Sequence, residues 1–219
     1  MFVKRFLTRI EPVFERVKFP PYSRGTTMRR TFSSIAVVIA LLAAAPVQAA
    51  ASKARAIARM IGIDGQPAGT VNFSATSHGV LMVFDVRGLT PGVHAIHIHT
   101  SGSCDPKVAF TSAGPHFSDD PKKMHGYFAE HGMHAGDLPN QFAAADGTLR
   151  ATAISNAFSL GNGKKSIFDH DGASIIVHAG GDDYLSQPAG NSGDRVACGV
   201  IMRTVAPGSR RGGRPRSHR

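Results

Sequence analysis

The 219-residue chain is long enough for one domain with a substantial core, and its formal net charge is +10. That charge lies at the two ends: residues 1–50 hold eight basic and two acidic side chains, and residues 203–219 hold six arginines and no acid. Residues 51–202 contain 11 basic and 13 acidic side chains, so the composition argues against specific nucleic-acid binding or membrane binding by the middle of the chain.

The first 50 residues are predicted to be a leader. From Met28 the sequence places two arginines before an apolar run at residues 35–45 and a small-residue VQA motif, the three parts of a secretory signal. Cleavage is expected after Ala49 or Ala50, which predicts a periplasmic or otherwise exported protein. An uncleaved amphipathic anchor and a twin-arginine signal are the alternatives, and residues 1–27 are interpreted as an upstream start or extra leader.

The following part, residues 51–203, is predicted to be one all-β domain. Segments of strand length with apolar character lie at residues 54–63, 69–76, 80–86, 92–100, 140–145, 148–155, 173–178 and 197–203. A hairpin turn is predicted at Asp64-Gly65 and a turn at Asp146-Gly147. The near absence of helical periodicity favours an antiparallel Greek-key β-sandwich or flattened barrel.

Two long loops, residues 101–139 and 179–194, interrupt this pattern and are expected to carry the function. The first is rich in Gly, Pro, Asp and His. A segment of that length without periodic pattern is rare in a compact domain unless something other than packing orders it. A bound metal would supply that order.

The segment GVHAIHIHT at residues 92–100 carries the first candidate metal ligands. Strand periodicity puts His97 and His99 on one face, with the neighbouring isoleucines on the other and His94 off the histidine face. Two imidazoles on one strand, separated by a single residue, can reach one ion. Solvated or hydrogen-bonded histidines remain the alternative for this motif alone.

Further candidate ligands come from the first long loop and from one later strand: His116, His125, His131, His134, Asp137 and His178. Imidazole suits copper and zinc, and a carboxylate joined with three imidazoles gives a four-ligand set that zinc favours. Any one of these histidines could be an ordinary surface residue. As a set they collect around one strand end, which indicates a metal site.

Four segments resemble the copper/zinc superoxide dismutase family, bacterial periplasmic type. They are GVHAIHIH at residues 92–99, SAGPHF at 112–117, HGxxxxxxxHAGDLPN at 125–140 and GNSGDRVACGV at 190–200. The resemblance covers about residues 54–203. It implies a Greek-key sandwich that converts superoxide to oxygen and hydrogen peroxide at a redox-cycling copper, bridged by a histidine to a structural zinc.

Matching positions imply the site residues. The copper ligands would be His97, His99, His116 and His178, and the zinc ligands His116, His125, His134 and Asp137. His116 would bridge the two ions and supply a proton, and Arg195 would hold the anionic substrate. Outside the ligand set, Asp182 would hydrogen-bond ligands of both metals, and His94 would brace the copper loop.

The only two cysteines, Cys104 and Cys198, match the family's disulfide, as expected in an exported chain. This disulfide would close a loop of 94 residues, which contributes about 4 to 5 kcal/mol to stability in the loop-entropy model. It would tie the metal loop to the last strand and so hold Arg195.

The chain also departs from the family pattern. The segment FSDDPKKM is one residue longer than usual, His131 is an additional imidazole, and the loop 179–194 has no basic residue. If charge steers the substrate, Lys107, Lys122 and Lys123 are the candidates.

Some alternatives stay open at the level of sequence. A copper or zinc binding or delivery module of the same fold, without turnover, is the second hypothesis. Residues 204–219 are predicted to be a disordered tail, with weak contact to an anionic surface as the functional alternative. Neither a homodimer nor a monomer is favoured by the sequence.

Overall fold

The computed structural model describes residues 55–169 and 171–204. Nine strands form the fold: β1 Arg55–Gly62, β2 Pro67–Thr76, β3 Gly79–Val86, β4 Gly92–His94, β5 Ile96–His99, β6 Gln141–Ala143, β7 Leu149–Ser155, β8 Ser174–His178 and β9 Arg195–Thr204. In this part of the chain the only helical elements are two 3-10 turns, Pro106–Val108 and Thr111–Ala113. None of its helices is long and apolar enough to span a membrane. The predicted leader and residues 205–219 of the predicted tail lie outside the described residues.

The strands build one curled antiparallel sheet with a small ribbon across its ends. Seven strands pair in the order β5-β8-β9-β1-β2-β3-β7, and β4 pairs with β6. Because β4 runs into β5 at one edge and β6 runs into β7 at the other, the ribbon links the two edges into a flattened barrel. Pairs such as β5 with β8 join strands distant in sequence, as in Greek-key folds. The predicted all-β architecture is therefore confirmed.

Alternation of side chains fixes which face of each strand turns inward. In β3, Val80, Met82, Phe84 and Val86 are buried, and the exposed residues between them include Asp85. This inner face packs with the buried alanines and Met60 of β1 in the main core. The pattern explains why the sequence located β3 to within one residue.

Both predicted turns are present, and the first joins the paired strands β1 and β2. Gly65 and Gly147 adopt φ of +76° and +75°, in the region that side chains other than glycine rarely occupy. In each turn the aspartate before the glycine accepts a backbone hydrogen bond two residues on, at 2.9 Å from Gln66 N and from Thr148 N.

The prediction of one histidine-bearing strand over residues 92–100 was wrong. The segment forms β4 and β5, divided at Ala95, whose backbone N donates to Gly180 O at 2.8 Å. The chain changes partner at this point, since β4 pairs with β6 and β5 pairs with β8. All four residues of β5 are buried, so the face carrying His97 and His99 is as enclosed as the isoleucine face.

Candidate metal centre

Four histidines converge at one end of the barrel because of strand pairing. His97 and His99 lie on β5, and His178 ends the neighbouring β8. The backbone of His116, in the long loop, forms an isolated antiparallel β-bridge with that of His99. One ring nitrogen from each of these four lies within 4.8 Å of the others. All four side chains are buried. The structure therefore brings together every residue predicted to bind copper.

Hydrogen bonds fix which nitrogen of each ring can face an ion. His99 Nδ1 donates to Gly114 O at 2.8 Å, and His178 Nδ1 donates to Gly193 O at 3.2 Å. His97 Nε2 donates to Asp182 Oδ2, and His116 Nδ1 to Asp137 Oδ1, both at 2.9 Å. These oxygens can only accept, so the proton sits on the nitrogen that faces them.

The opposite nitrogen in each of these rings is buried and without a partner: His97 Nδ1, His99 Nε2, His116 Nε2 and His178 Nε2. Buried polar atoms are normally hydrogen-bonded, so four unpaired lone pairs in one place need an explanation. A bound cation is the explanation that fits, because neutral imidazole nitrogens are ligands for copper and zinc.

Asp137 organises a second set of possible ligands next to the first. Its Oδ1 lies 2.9 Å from His116 Nδ1, 3.1 Å from His125 Nδ1 and 3.7 Å from His134 Nδ1. Its other oxygen accepts from the backbone N of Gly126 and of His134. Three imidazole nitrogens thus surround one carboxylate oxygen, which matches the donor set preferred by zinc.

The distances between ligand atoms define this second set differently from the sequence prediction. Ligand atoms of His97, His116, His125 and Asp137 lie within 4.8 Å of one another, and His134 is not in that group. The Nδ1 of His134 is nevertheless buried, unpaired and aimed at Asp137. His97 already uses its Nε2 on Asp182. The zinc assignment of His134 stays a prediction.

Asp182 connects the two sets, in the position that the sequence predicted for it. Its two carboxylate oxygens accept from His97 Nε2 and from His125 Nε2, each at 2.9 Å. Gly190 packs against this carboxylate with φ +68°, and a Cβ there would overlap Asp182 Oδ1. A larger residue at position 190 would therefore displace Asp182 or His125.

Two amides that sequence reasoning missed position this carboxylate and His125. Asn140 Oδ1 accepts from Asp182 N at 2.8 Å, and Asn140 Nδ2 donates to Asp182 O at 2.9 Å. Gln187 makes the same two-point contact with the backbone N and O of His125. Asn140 ends the HAGDLPN segment but was given no role there, and no motif contains Gln187, because each amide binds backbone atoms at least 40 residues away in the sequence.

Burial and the two carboxylates give the histidines different charges. Burial lowers the pKa of His116 to about 4 and of His178 to about 3, and lowers the pKa values of His97 and His99 as well. Burial opposes the charged form of His125 too, but its hydrogen bonds to Asp137 and Asp182 outweigh that and raise its pKa to about 9.

Arg195 lies next to two members of the four-histidine cluster formed by His97, His99, His116 and His178. It lines a surface cavity of about 680 Å³ together with His116 and His178. Its guanidinium donates to Phe110 O at 2.7 Å and to Gly114 O at 2.9 Å. Burial lowers its pKa, yet an arginine remains a cation at neutral pH. Because Gly114 O also accepts from His99, one carbonyl positions the cation and a candidate ligand.

The loop that supplies those carbonyls is attached to the barrel by the predicted disulfide. Cys104 and Cys198 are bonded, with Cα atoms 5.7 Å apart. Cys198 lies three residues after Arg195 on β9, so the disulfide and the guanidinium hold the same loop. His94 is buried, with its ring nitrogens 2.6 Å from His178 O and 2.7 Å from Thr90 O. This joins β4 to the end of β8.

The candidate steering residues do not share one location. Lys123 lines the same cavity as Arg195 and forms an ion pair with Asp119 at 2.6 Å. Lys107 and Lys122 are not among the residues that line it. The additional imidazole, His131, is exposed and belongs to neither group of converging ligand atoms.

Comparison with known proteins gives consistent results. Residues 67–201 match the family model described as copper/zinc superoxide dismutase. A protein of Caulobacter vibrioides named "Superoxide dismutase [Cu-Zn]" is 46% identical over 140 residues, which cover 63% of this chain and 80% of the relative. A protein of Aquifex aeolicus named "Superoxide dismutase [Cu-Zn] 2" is 40% identical, with 67% and 86% covered.

Solved structures share the fold. A "SOD-like protein" from Bacillus subtilis superposes with a TM-score of 0.63 at 35% identity, covering 67% of this chain and 97% of that one. The copper/zinc superoxide dismutase from Brucella abortus has a TM-score of 0.55 at 30% identity, with 68% and 99% covered.

Proposed function

Because this chain belongs to the copper/zinc superoxide dismutase family, we propose that its histidine cluster and Arg195 form the centre that converts superoxide to oxygen and hydrogen peroxide. One observation carries this assignment. Four neutral imidazoles point unpaired, buried lone pairs at one another, and a surface cavity lined by Arg195 reaches two of them, His116 and His178. A small anion that must meet a metal ion requires both features.

The donor atoms support two neighbouring metal sites. Copper would be held by His97 Nδ1, His99 Nε2, His116 Nε2 and His178 Nε2, and zinc by Asp137 with the Nδ1 atoms of His116, His125 and His134. When zinc binds, His116 Nδ1 and His125 Nδ1 would give up the protons that they otherwise direct at Asp137. His116 belongs to both sets, since its two nitrogens face opposite sides. Copper supplies one-electron redox chemistry when bound, whereas zinc has none.

The chain's own groups bind the substrate and move protons. The Arg195 guanidinium faces the cavity with two of its donors fixed on Phe110 and Gly114, so its charge attracts and orients a small anion. His116 lines the same cavity, and its Nε2 has no protein partner. A neutral imidazole in that position can accept a proton and donate it to the reduced substrate.

The test is the rate of superoxide decay with the copper- and zinc-loaded chain at low and high salt. We expect fast decay that slows with salt, because charge attraction is screened. Arg195→Ala should lower the rate about 10- to 100-fold, the effect of losing a charged hydrogen bond. Arg59→Ala is the matched control, since Arg59 is an exposed arginine on β1 outside the cavity and its loss should leave the rate nearly unchanged.

The same experiment decides between enzyme and binding module. A non-catalytic copper/zinc binding or delivery protein would take up stoichiometric metal without accelerating decay. The four histidines converge, and two of them, His116 and His178, line one cavity with Arg195, which favours turnover. Stoichiometric metal with no decay would overturn the dismutase assignment and leave the metal-binding module.

Export to the periplasm is the location we propose, with residues 51–203 as the mature domain. The Cys104–Cys198 disulfide supports it, because such bonds persist in oxidising compartments. The signal-like pattern ending at Ala49 supports it independently. N-terminal sequencing of protein from the periplasmic fraction should give a chain that starts at residue 50 or 51. An intact leader in the cytoplasmic fraction would contradict export.

Two contacts complete the proposal. Exposed apolar side chains at Phe128, Phe142 and Leu185 support a homodimer, which sedimentation would reveal as a mass that rises with concentration.

The arginine-rich residues 204–219 support weak contact with anionic surfaces. Removing them should abolish binding to anionic vesicles and leave superoxide decay unchanged.

A further inference from the structure

Two methionines in the long loop lie outside the buried core. Met60 and Met82 are at most 1% exposed and belong to the main core. Met124, in contrast, is 39% exposed, and neither it nor Met133 is part of the buried clusters. Their thioethers are therefore available for another purpose.

The backbone places these two side chains next to each other. Met124 and Met133 form a parallel β-bridge, and Met124 N donates to Gly132 O at 3.1 Å. Paired residues of a bridge project their side chains to the same face, about 5 Å apart. The two sulfur atoms thus belong to one surface, although nine residues separate them in sequence.

An imidazole lines a cavity with one of these two methionines. Met133 lines a cavity of about 260 Å³ together with His78, from the turn between β2 and β3, and Tyr127. The turn is fixed by a hydrogen bond from His78 N to Thr76 Oγ1 at 3.1 Å. Among residues 55–169 and 171–204 the ring of His78 makes no hydrogen bond or ion pair.

We propose that Met124, Met133 and His78 form an additional copper site that takes Cu(I), separate from the dismutase centre. Thioether sulfur is a soft ligand that selects Cu(I) over zinc and other divalent ions, and imidazole binds copper as well. The site is next to the zinc ligands in sequence, since the two methionines immediately precede His125 and His134. The chain would therefore bind a third metal ion at its surface.

The experiment starts from the full chain with copper and zinc already loaded and the copper reduced. Cu(I) is titrated without oxygen against a chromogenic Cu(I) chelator, and X-ray absorption is recorded on the added copper. We expect one further equivalent with sulfur scatterers. The double variant Met124→Leu with Met133→Leu should lose that equivalent, His78→Gln should weaken it, and all variants should keep superoxide decay.

The matched control is Met202→Leu, because Met202 is 62% exposed on β9 and belongs neither to the bridge nor to the cavity that Met133 lines. It should retain the extra equivalent. Methionine-methyl NMR of the unmutated mature chain gives a readout that needs no variant: Ag(I), a redox-inert analogue, should shift two of the five methionine signals that remain after the leader is removed, and Zn²⁺ should shift none.

The proposal is overturned if no extra equivalent binds, if the double leucine variant still binds it, or if the added copper lacks sulfur ligands. These results are independent of the dismutase activity, which is measured separately on the same samples. Loss of superoxide decay with intact extra binding would refute the function of the main centre and leave this site in place.

Discussion

Replacing Asp182 by asparagine tests how the two metal sets are coupled. The carboxylate accepts one N–H from His97 and one from His125, each at 2.9 Å. Asparagine keeps the shape but offers only one acceptor oxygen, and its NH₂ group must face the N–H of one imidazole. That ring then turns over or moves its proton to the other nitrogen, which is the nitrogen needed by the ion.

The size of the effect follows from these contacts. Loss of a group that orients a metal ligand typically costs 10- to 100-fold in metal affinity, which corresponds to about 1.4 to 2.7 kcal/mol. Because Asp182 contacts one histidine of each set, Asp182→Asn should lower the affinity for at least one of the two ions by this factor. The Tyr184 N–H that also donates to Asp182 Oδ1 can still be accepted by the amide oxygen.

Competition with chelators, measured separately for copper and zinc, is the assay. Asp183→Asn is the control, since Asp183 is the adjacent residue but is exposed and caps only the backbone N–H groups of Leu185 and Ser186. Unchanged affinity for both ions in Asp182→Asn would refute the argument that this carboxylate sets the histidine tautomers.

Three further predictions concern the loop, the acid response and the cavity. Replacing Cys104 and Cys198 by serine should lower the free energy of unfolding by about 4.7 kcal/mol, as measured in urea, because a loop of 94 residues is no longer closed. In chelated protein, His116 and His178 have folded pKa values of about 4 and 3, below the unfolded value near 6.5. The unfolded state therefore binds more protons, and urea midpoints should fall as pH drops from about 6.5 to about 4; a flat profile would contradict this. Lys123→Ala should lower the low-salt rate of superoxide decay about twofold, the expected effect of one screened charge at about 10 Å, with no change at high salt.

The strands could be predicted from the sequence wherever one face of a strand is buried and the other is exposed to solvent. In β3, Met82 and Phe84 alternate with exposed residues, so period-two reasoning located the element. It failed at residues 92–100 because β5 is buried on both faces and the break at Ala95 depends on Gly180, which is distant in sequence. Pairing partners that lie far along the chain leave no local signal.

The site shows the same division. The types of ligand and their clustering could be predicted from His97, His99 and the loop histidines. The tautomers could be predicted only in part. Asp182 was expected to hydrogen-bond ligands of both metals, but the groups that fix His99 and His178 are the backbone carbonyls of Gly114 and Gly193, whose positions depend on the folded loops. A carbonyl carries no side-chain identity, so a sequence motif cannot indicate it directly.

The unpaired nitrogens connect the site to the stability of the fold. Five imidazole nitrogens of the described residues are buried without a partner, and each such atom costs about 1 to 3 kcal/mol. Together these costs are comparable with the whole stability of a typical domain, about 5 to 15 kcal/mol. The long loop, residues 101–139, contains no strand and is held by the disulfide, by buried side chains such as Phe110, Phe117 and Leu138, and by contacts to these histidines. An ion that satisfies the lone pairs would contribute its binding free energy to folding, so the ligand would add to the order of the loop that binds it.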